Sequence, residues 1–151
     1  MQTEVPVHTE AVHTDLFGIV DKLVGVFSPG SLYTGNIIFN EVSPELAIKS
    51  DKKIIFSVLR DILESVIFHS TNTCVRISAR VYNDVILLHI KDCRRINDYI
   101  KYYSFDAVQR LAMKIGGFVD VTSYNETNTT ITFSFANMPV DQVNLYTGND
   151  Y

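Results

Sequence analysis

Cysteine is scarce in this sequence, and its placement excludes the sites that cysteine commonly builds. Only two of the 151 residues are cysteines, Cys74 and Cys93. Neither has a second cysteine or a histidine at the spacing of a metal site. We therefore interpret both as reduced, ordinary residues and predict no bound metal.

Long hydrophobic runs and a leader are also missing. No apolar run reaches the length that crosses a bilayer, and the first residues, MQTEVPVHTE, lack the basic and apolar regions of a signal peptide. We therefore expect a cytoplasmic protein that makes no contact with a membrane.

Positive charge is in deficit. There are 13 Lys and Arg against 17 Asp and Glu, which gives a formal net charge of -4. A net acidic chain is not favoured for docking on the phosphates of nucleic acid. Proteins, with or without a small ligand, are therefore the expected partners.

The apolar content suits one packed core. Hydrophobic residues make up 46% of the chain, and its length fits a single domain. We predict a flexible N-terminal arm over residues 1–12, one domain over residues 13–139 and a polar C-terminal tail over residues 140–151. The chain shows no internal repeat and no low-complexity segment.

Apolar residues recur at helical spacing in three segments, approximately residues 15–27, 53–69 and 105–115. Ser28-Pro29-Gly30 is predicted to end the first helix, and Ser50 or Asp51 to cap the second. The second helix has the widest apolar stripe. Its polar positions are Arg60, Asp61, Glu64 and Ser65.

Alternation of apolar and polar residues predicts strands near residues 36–42, 45–49, 73–81, 84–91, 118–123 and 129–136. Asn83-Asp84 favours an antiparallel hairpin. Since the strands alternate, one face of the sheet meets water and the helices cover the other. The predicted fold class is α/β (α+β): a two-layer sandwich with helices on one face of a mixed, mostly antiparallel sheet.

The order of these elements, from Asp15 to Pro139, carries a family resemblance. The segment from Asp51 to Ser70 looks like the helix that bears an N box, and Val85 to Asp92 looks like the strand that leads to a first glycine box. Val108 to Gly117, followed by Thr129 to Pro139, looks like the closing helix and terminal hairpin. The chain thus resembles the catalytic, ATP-binding domain of sensor histidine kinases, the GHKL or Bergerat ATPase fold.

The resemblance implies roles for three positions. Ser65 stands where the family uses an asparagine to hold magnesium, and a single hydroxyl is a poorer ligand. Asp61 stands at the position of a general base. Asp92 matches the aspartate that recognises the adenine amino group. The alternative is that Asp61 and Asp92 have no role in a site and are solvated polar residues at the ends of a helix and a strand.

Both glycine boxes are altered. Arg94 follows Asp92 where the family has glycine, and its side chain would fill the adenine pocket or displace the loop. The second box aligns with Tyr102-Tyr103-Ser104-Phe105, which has no glycine to let backbone N–H groups hold a phosphate. Asp92, Arg94 and Ser104 are therefore predicted remnants of a nucleotide site.

The resemblance places the family's lid at Cys93 to Ser104, and charged and aromatic residues near this former lid allow two interpretations each. Lys91, Arg94 and Arg95 are expected to form a solvated loop or to pair with Asp61, with anion binding as the alternative. Aromatic residues there are predicted either to bind a partner protein or to plug the empty pocket. They are Tyr99, Tyr102, Tyr103 and Phe105.

The resemblance leads to one functional prediction and two alternatives. The chain is predicted to be a stand-alone, degenerate and non-catalytic protein-binding module in bacterial two-component signalling, with a histidine kinase or response regulator as partner and no cofactor. The first alternative is an atypical ATP-binding protein kinase of the histidine kinase or anti-sigma type, which would use ATP and magnesium. The second is a domain excised from a longer receptor.

Overall fold

A computed structural model describes residues 13–93, 105–124 and 128–139. The predicted arm and tail lie outside these ranges, and so does most of the predicted lid. In chain order the described elements are β1 (Thr14–Asp15), α1 (Leu16–Thr34), β2 (Ile37–Asn40), β3 (Ala47–Ile48), α2 (Lys52–Phe68), β4 (Cys74–Tyr82), β5 (Val85–Asp92), α3 (Asp106–Met113), β6 (Phe118–Tyr124) and β7 (Thr129–Ala136).

Five of the strands form one sheet in the order β2-β4-β5-β7-β6. β2 runs parallel to β4, and each of the other neighbouring pairs is antiparallel. β1 and β3 form a separate two-stranded ribbon beside it. The prediction of a mixed, mostly antiparallel sheet is confirmed.

The helices pack on one face of this sheet and bury its alternate residues. The buried strand residues include Leu88, which lies opposite Phe133 on β7, and Ile77, whose partner on β5 is Ile90, two residues from Leu88. Burial of such side chains supplies most of the stabilisation, at about 1.5–3 kcal/mol for each large apolar residue. The predicted two-layer arrangement is therefore confirmed.

The central helix α2 begins where the sequence predicts. The Asp51 carboxylate accepts hydrogen bonds from the backbone N–H groups of Lys53 and Ile54, at 2.8 and 3.2 Å. These bonds satisfy two of the donors that a helix leaves unpaired at its start. Seven residues of α2 are buried along one stripe: Ile55, Val58, Leu59, Ile62, Leu63, Val66 and Ile67.

The prediction that Pro29 ends the first helix is wrong, because α1 continues through it to Thr34. Proline removes one backbone donor and crowds the carbonyl four residues earlier. That carbonyl belongs to Gly25, which is exposed, so water can satisfy it. The Ser28 hydroxyl also donates to the Val24 carbonyl, at 2.7 Å, in the same turn.

Gly117, between α3 and β6, has no room for a side chain. A Cβ atom there would lie 2.8 Å from the Ser134 carbonyl oxygen and 2.9 Å from the Ala112 carbonyl oxygen. We expect Gly117→Ala to lower the free energy of unfolding by about 1–3 kcal/mol, since neither backbone group can move alone. Urea unfolding followed by circular dichroism measures the change.

Gly25→Ala is the matched control, because nothing lies within 4 Å of a Cβ atom at that helical position. There alanine should be neutral or stabilising by up to about 1 kcal/mol. Equal destabilisation by both variants would contradict the crowding at Gly117.

Candidate functional site

Asp92 lies at the end of β5 on the face of the sheet that the helices cover, and only 1% of it is exposed. Its Oδ2 accepts a hydrogen bond from the Ser70 hydroxyl and its Oδ1 accepts one from the Thr73 hydroxyl, each at 2.6 Å. Bonds this short are typical of hydroxyls that donate to a carboxylate. The alternative that Asp92 is a solvated strand end is therefore wrong.

Asn36 holds the loop that carries both donors. Its side-chain amide donates to the Ser70 carbonyl at 2.9 Å, and its amide oxygen accepts from the Thr73 N–H at 3.2 Å. Asn36, Ser70, Thr73 and Asp92 are all buried. We call these four residues the Asp92 cluster. It links the ends of α1 and α2 to the end of β5.

The two cysteines flank this cluster and are joined to each other. Cys74 follows Thr73, Cys93 follows Asp92, and the two form a disulfide with their Cα atoms 5.5 Å apart. The prediction of two reduced cysteines is therefore wrong. Neither residue type nor spacing showed the pairing. It follows from the β4–β5 register, because Val75 lies opposite Asp92 and so Cys74 falls opposite Cys93.

Asp61 and Ser65 lie one turn apart on α2 and therefore on the same side of it. Asp61 is half-buried and pairs with the exposed Arg60, at 3.4 Å between Nε and Oδ1. The Ser65 carbonyl accepts from the His69 N–H at 3.3 Å. Within the described ranges, the Ser65 hydroxyl has no hydrogen-bond partner.

Comparison with known proteins gives a match by structure alone: no family model and no curated protein sequence matches. The histidine kinase AdeS of Acinetobacter baumannii superposes with a TM-score of 0.72 at 16% identity, covering 83% of this chain and 66% of that one. The nucleotide-free catalytic domain of the histidine kinase ThkA gives 0.72 at 13% identity, covering 84% and 97%.

This chain has the histidine kinase catalytic fold. Full-length ShkA in complex with AMPPNP gives a TM-score of 0.70 at 19% identity, covering 83% of this chain but only 31% of ShkA. ThkA is also matched in a complex with the response regulator TrrA, at a TM-score of 0.69 and 13% identity, covering 83% of this chain and 41% of that one. The histidine kinase-like domain thus spans a minor part of some of these proteins.

The remaining predicted site residues of this histidine kinase-like domain fall in two groups. Phe105 is described: it is half-buried and packs against the core just before α3, and its role in binding a partner or filling the pocket stays a prediction. The others lie outside the described residues, and their roles stay predictions. They are Arg94, Arg95, Tyr99, Tyr102, Tyr103 and Ser104.

The sequence analysis missed three members of the Asp92 cluster, namely Asn36, Ser70 and Thr73. The hairpin register could have identified one of them, Thr73. If Asp92 lies opposite position 75 in the hairpin, Thr73 is its diagonal neighbour on the same face. Nothing in the local pattern marks Asn36, because its partners lie more than thirty residues away.

Residues 13–93, 105–124 and 128–139 contain no group of three or more His, Cys, Asp and Glu that could hold a metal ion. No helix among them combines the length and the apolar character needed to cross a membrane.

Proposed function

We propose that this histidine kinase-like domain binds another protein in bacterial two-component-type signalling and does not turn over nucleotide. The observation that carries the proposal is the hydrogen bonding of Asp92. Both of its carboxylate oxygens are held by hydroxyl groups of the protein itself, Ser70 and Thr73. The residue that would recognise adenine thus has a structural task within the fold.

The chain around Asp92 also opposes nucleotide binding. Cys93 is tied back to β4 by its disulfide and by a hydrogen bond from its N–H to the Cys74 carbonyl, at 2.9 Å. Arg94 follows at once, where the family needs a glycine for close approach of the base. The start of the loop is therefore both anchored and bulky.

The metal position supports the same conclusion. Ser65 offers one hydroxyl where the family resemblance places the asparagine carboxamide that holds magnesium, and a single hydroxyl is a poorer ligand. Asp61, one turn away, shares its carboxylate with Arg60. If ATP and magnesium bound, these residues would have to hold them, and their donor set does not fit.

The proposed partner is a kinase or a response regulator, by analogy with the complex of ThkA and TrrA. The proposed compartment is the cytoplasm. The disulfide is the observation against that location, because such bonds persist mainly in oxidising compartments. To test the location, cells are quenched rapidly with acid and the free thiols of the protein are titrated. Two free thiols per chain would agree with the cytoplasm, and none would argue against it.

Calorimetric titration with ATP and ADP, with and without magnesium, tests the proposal. We expect no saturable heat up to about 1 mM nucleotide, which corresponds to a binding free energy weaker than about -4 kcal/mol. Nucleotide should also leave the melting temperature unchanged, since only a ligand that binds the folded state raises it. Micromolar binding would overturn the proposal.

The second candidate is an ATP-binding protein kinase. It is favoured by the place of Asp92, at the end of β5 and on the helix-covered face, which is where the family resemblance puts the adenine contact. Under this reading nucleotide binds in calorimetry and Asp92→Asn abolishes binding, while Asp61→Asn retains binding and loses turnover.

A further inference from the structure

The face of the five-stranded sheet that the helices leave uncovered is neither uniformly polar nor flat. A concavity of about 740 Å³ lies on it. Its floor comes from the outward residues of β4 and β5, where Ser78 lies opposite His89 and Arg80 lies opposite Leu87. We call this surface the open sheet face.

Cations outnumber acids around this concavity. Its lining has three cationic residues, Arg76, Arg80 and Lys91, against one acid, Glu41, in a chain whose net charge is -4. Glu41 pairs with Arg76. Arg80 and Lys91 are exposed and have no ion-pair partner within the described parts of the chain. The concavity thus presents two uncompensated positive charges, while the acidic Asp120 lies farther across the same face, opposite Thr132 on β7.

His89 lies between these two cations and does not add to their charge. Burial, and to a smaller extent the charge of Arg80, lowers the pKa of His89, so the ring is mainly neutral at neutral pH. Its Nδ1 lies 3.2 Å from the Thr132 hydroxyl, which in turn lies 2.8 Å from that of Thr122. A row of neutral hydrogen-bonding groups therefore crosses the sheet beside the cations.

Apolar side chains on the same face depart from the polar pattern expected of a sheet surface in water. Tyr82 is 69% exposed and lies directly opposite Val85, which is 40% exposed. Leu87 is the next outward residue along β5. The ring of Phe39 stacks under the guanidinium of Arg76 at 4.8 Å. Arginine and aromatic residues are enriched where proteins bind one another.

We infer that the open sheet face is the docking surface for an acidic segment of a partner protein that also carries apolar side chains. Carboxylates of the segment would pair with Arg80 and Lys91, and its apolar side chains would cover Leu87 and Tyr82. The inference rests on the proposed role as a protein-binding module and gives that partner its chemistry.

A second cationic groove lies between α1 and α2, lined by Lys22, Lys52 and Lys53 together with Asp15. It is the competing site for an acidic segment. Its cations are all lysines, which are depleted at protein interfaces, and the Lys22 ammonium already lies over the Phe56 ring, 5.8 Å from its centre. The open sheet face, with its arginines and exposed aromatic rings, is therefore the better candidate.

The test measures fluorescence anisotropy with a short labelled peptide rich in glutamate and leucine, titrated with the full chain. We expect Arg80→Glu with Lys91→Glu to weaken binding about ten- to a hundredfold, and added salt to weaken it further. Both residues are exposed, so the variant should fold. Arg110→Glu, on the exposed side of α3, is the matched control and should bind as the parent does.

Four results of the binding measurements would overturn the inference. They are no binding of the peptide, equal binding when every glutamate is replaced by glutamine, loss of binding in Lys22→Glu with Lys53→Glu instead, and binding of phosphatidylserine vesicles without binding of the peptide. Self-association that is lost in the sheet variant would assign the face to a second copy and would also overturn it.

Nucleotide and peptide report on opposite faces of the sheet, because Asp92 points to the helices. If ATP binds and the peptide also binds normally, the proposal that the domain works without nucleotide is rejected, while the proposed docking surface is retained. No binding of ATP together with no binding of the peptide would reject the docking surface alone.

Discussion

Replacement of Asp92 by alanine should lower the free energy of unfolding by about 3–5 kcal/mol. The variant removes the acceptor for the Ser70 and Thr73 hydroxyls, which are buried and donate to it at 2.6 Å. Hydroxyl donors lose their hydration when they are buried. Without an acceptor, no hydrogen bond compensates for that loss, and the fold is destabilised by its full free energy. Urea unfolding followed by far-ultraviolet circular dichroism measures the difference.

Two further variants separate this structural role from a general effect of charge. Asp61→Ala removes a half-exposed carboxylate with an exposed arginine partner, so its effect should stay within about 0.5 kcal/mol. Asp92→Asn keeps an acceptor oxygen and adds an N–H₂ donor for the second hydroxyl, so we expect an intermediate loss. If Asp92→Ala is no more destabilising than Asp61→Ala, the Asp92 cluster does not hold the fold together.

Loss of the Asp92 contacts also affects nucleotide-binding measurements. A variant of Asp92 that fails to bind ATP is informative only if it remains folded, since Asn36 and the loop that ends α2 depend on the same contacts. Binding measurements on Asp92→Asn therefore need an unfolding curve at the same temperature.

The sequence predicted most of the fold because its strongest signals are local. The buried stripe of α2 and the alternation in β4 and β5 each lie within one element and need no knowledge of its neighbours. The hairpin between β4 and β5 was predicted from Asn83-Asp84. Asn83 adopts φ 56°, a conformation that asparagine tolerates better than most residues.

The error in the predicted fold arose at a position where tertiary contacts determine where a helix ends. Pro29 is a strong local stop signal, yet α1 continues past it, up to the turn at Gly35. Gly35 has φ 75° there, and the Asn72 N–H donates to the Thr34 carbonyl at 2.9 Å. Contacts with a loop nearly forty residues away thus accompany the helix end, and no window on the sequence contains them.

The candidate site divides in the same way. Asp92 was found because it ends a predicted strand, at a position to which the family resemblance gives a role. Its environment was not found, because Ser70 and Thr73 reach it only through the loop that Asn36 organises. The sequence identifies the polar positions of α2, but only the structure shows Arg60 as the partner of Asp61.

Removal of the Cys74–Cys93 disulfide should lower the free energy of unfolding by about 3 kcal/mol, because the bond restricts the unfolded chain over a sequence separation of 19 residues. The expected change follows from loop closure alone. Parent protein in urea with and without dithiothreitol, compared with Cys74→Ala and Cys93→Ala combined, measures it. The reduced parent should match the double variant.

The double variant is its own control, since dithiothreitol has no bond to reduce in it and should leave its unfolding curve unchanged. If dithiothreitol shifts neither protein, the bond does not form in solution, and the cysteines are the reduced pair that their spacing suggested. If it shifts only the parent, the restraint is real. Thr73 and Asp92, the neighbours of the two cysteines, should then lose protection from amide hydrogen exchange on reduction before the core of β4 and β5 does, because the disulfide closes their end of the hairpin.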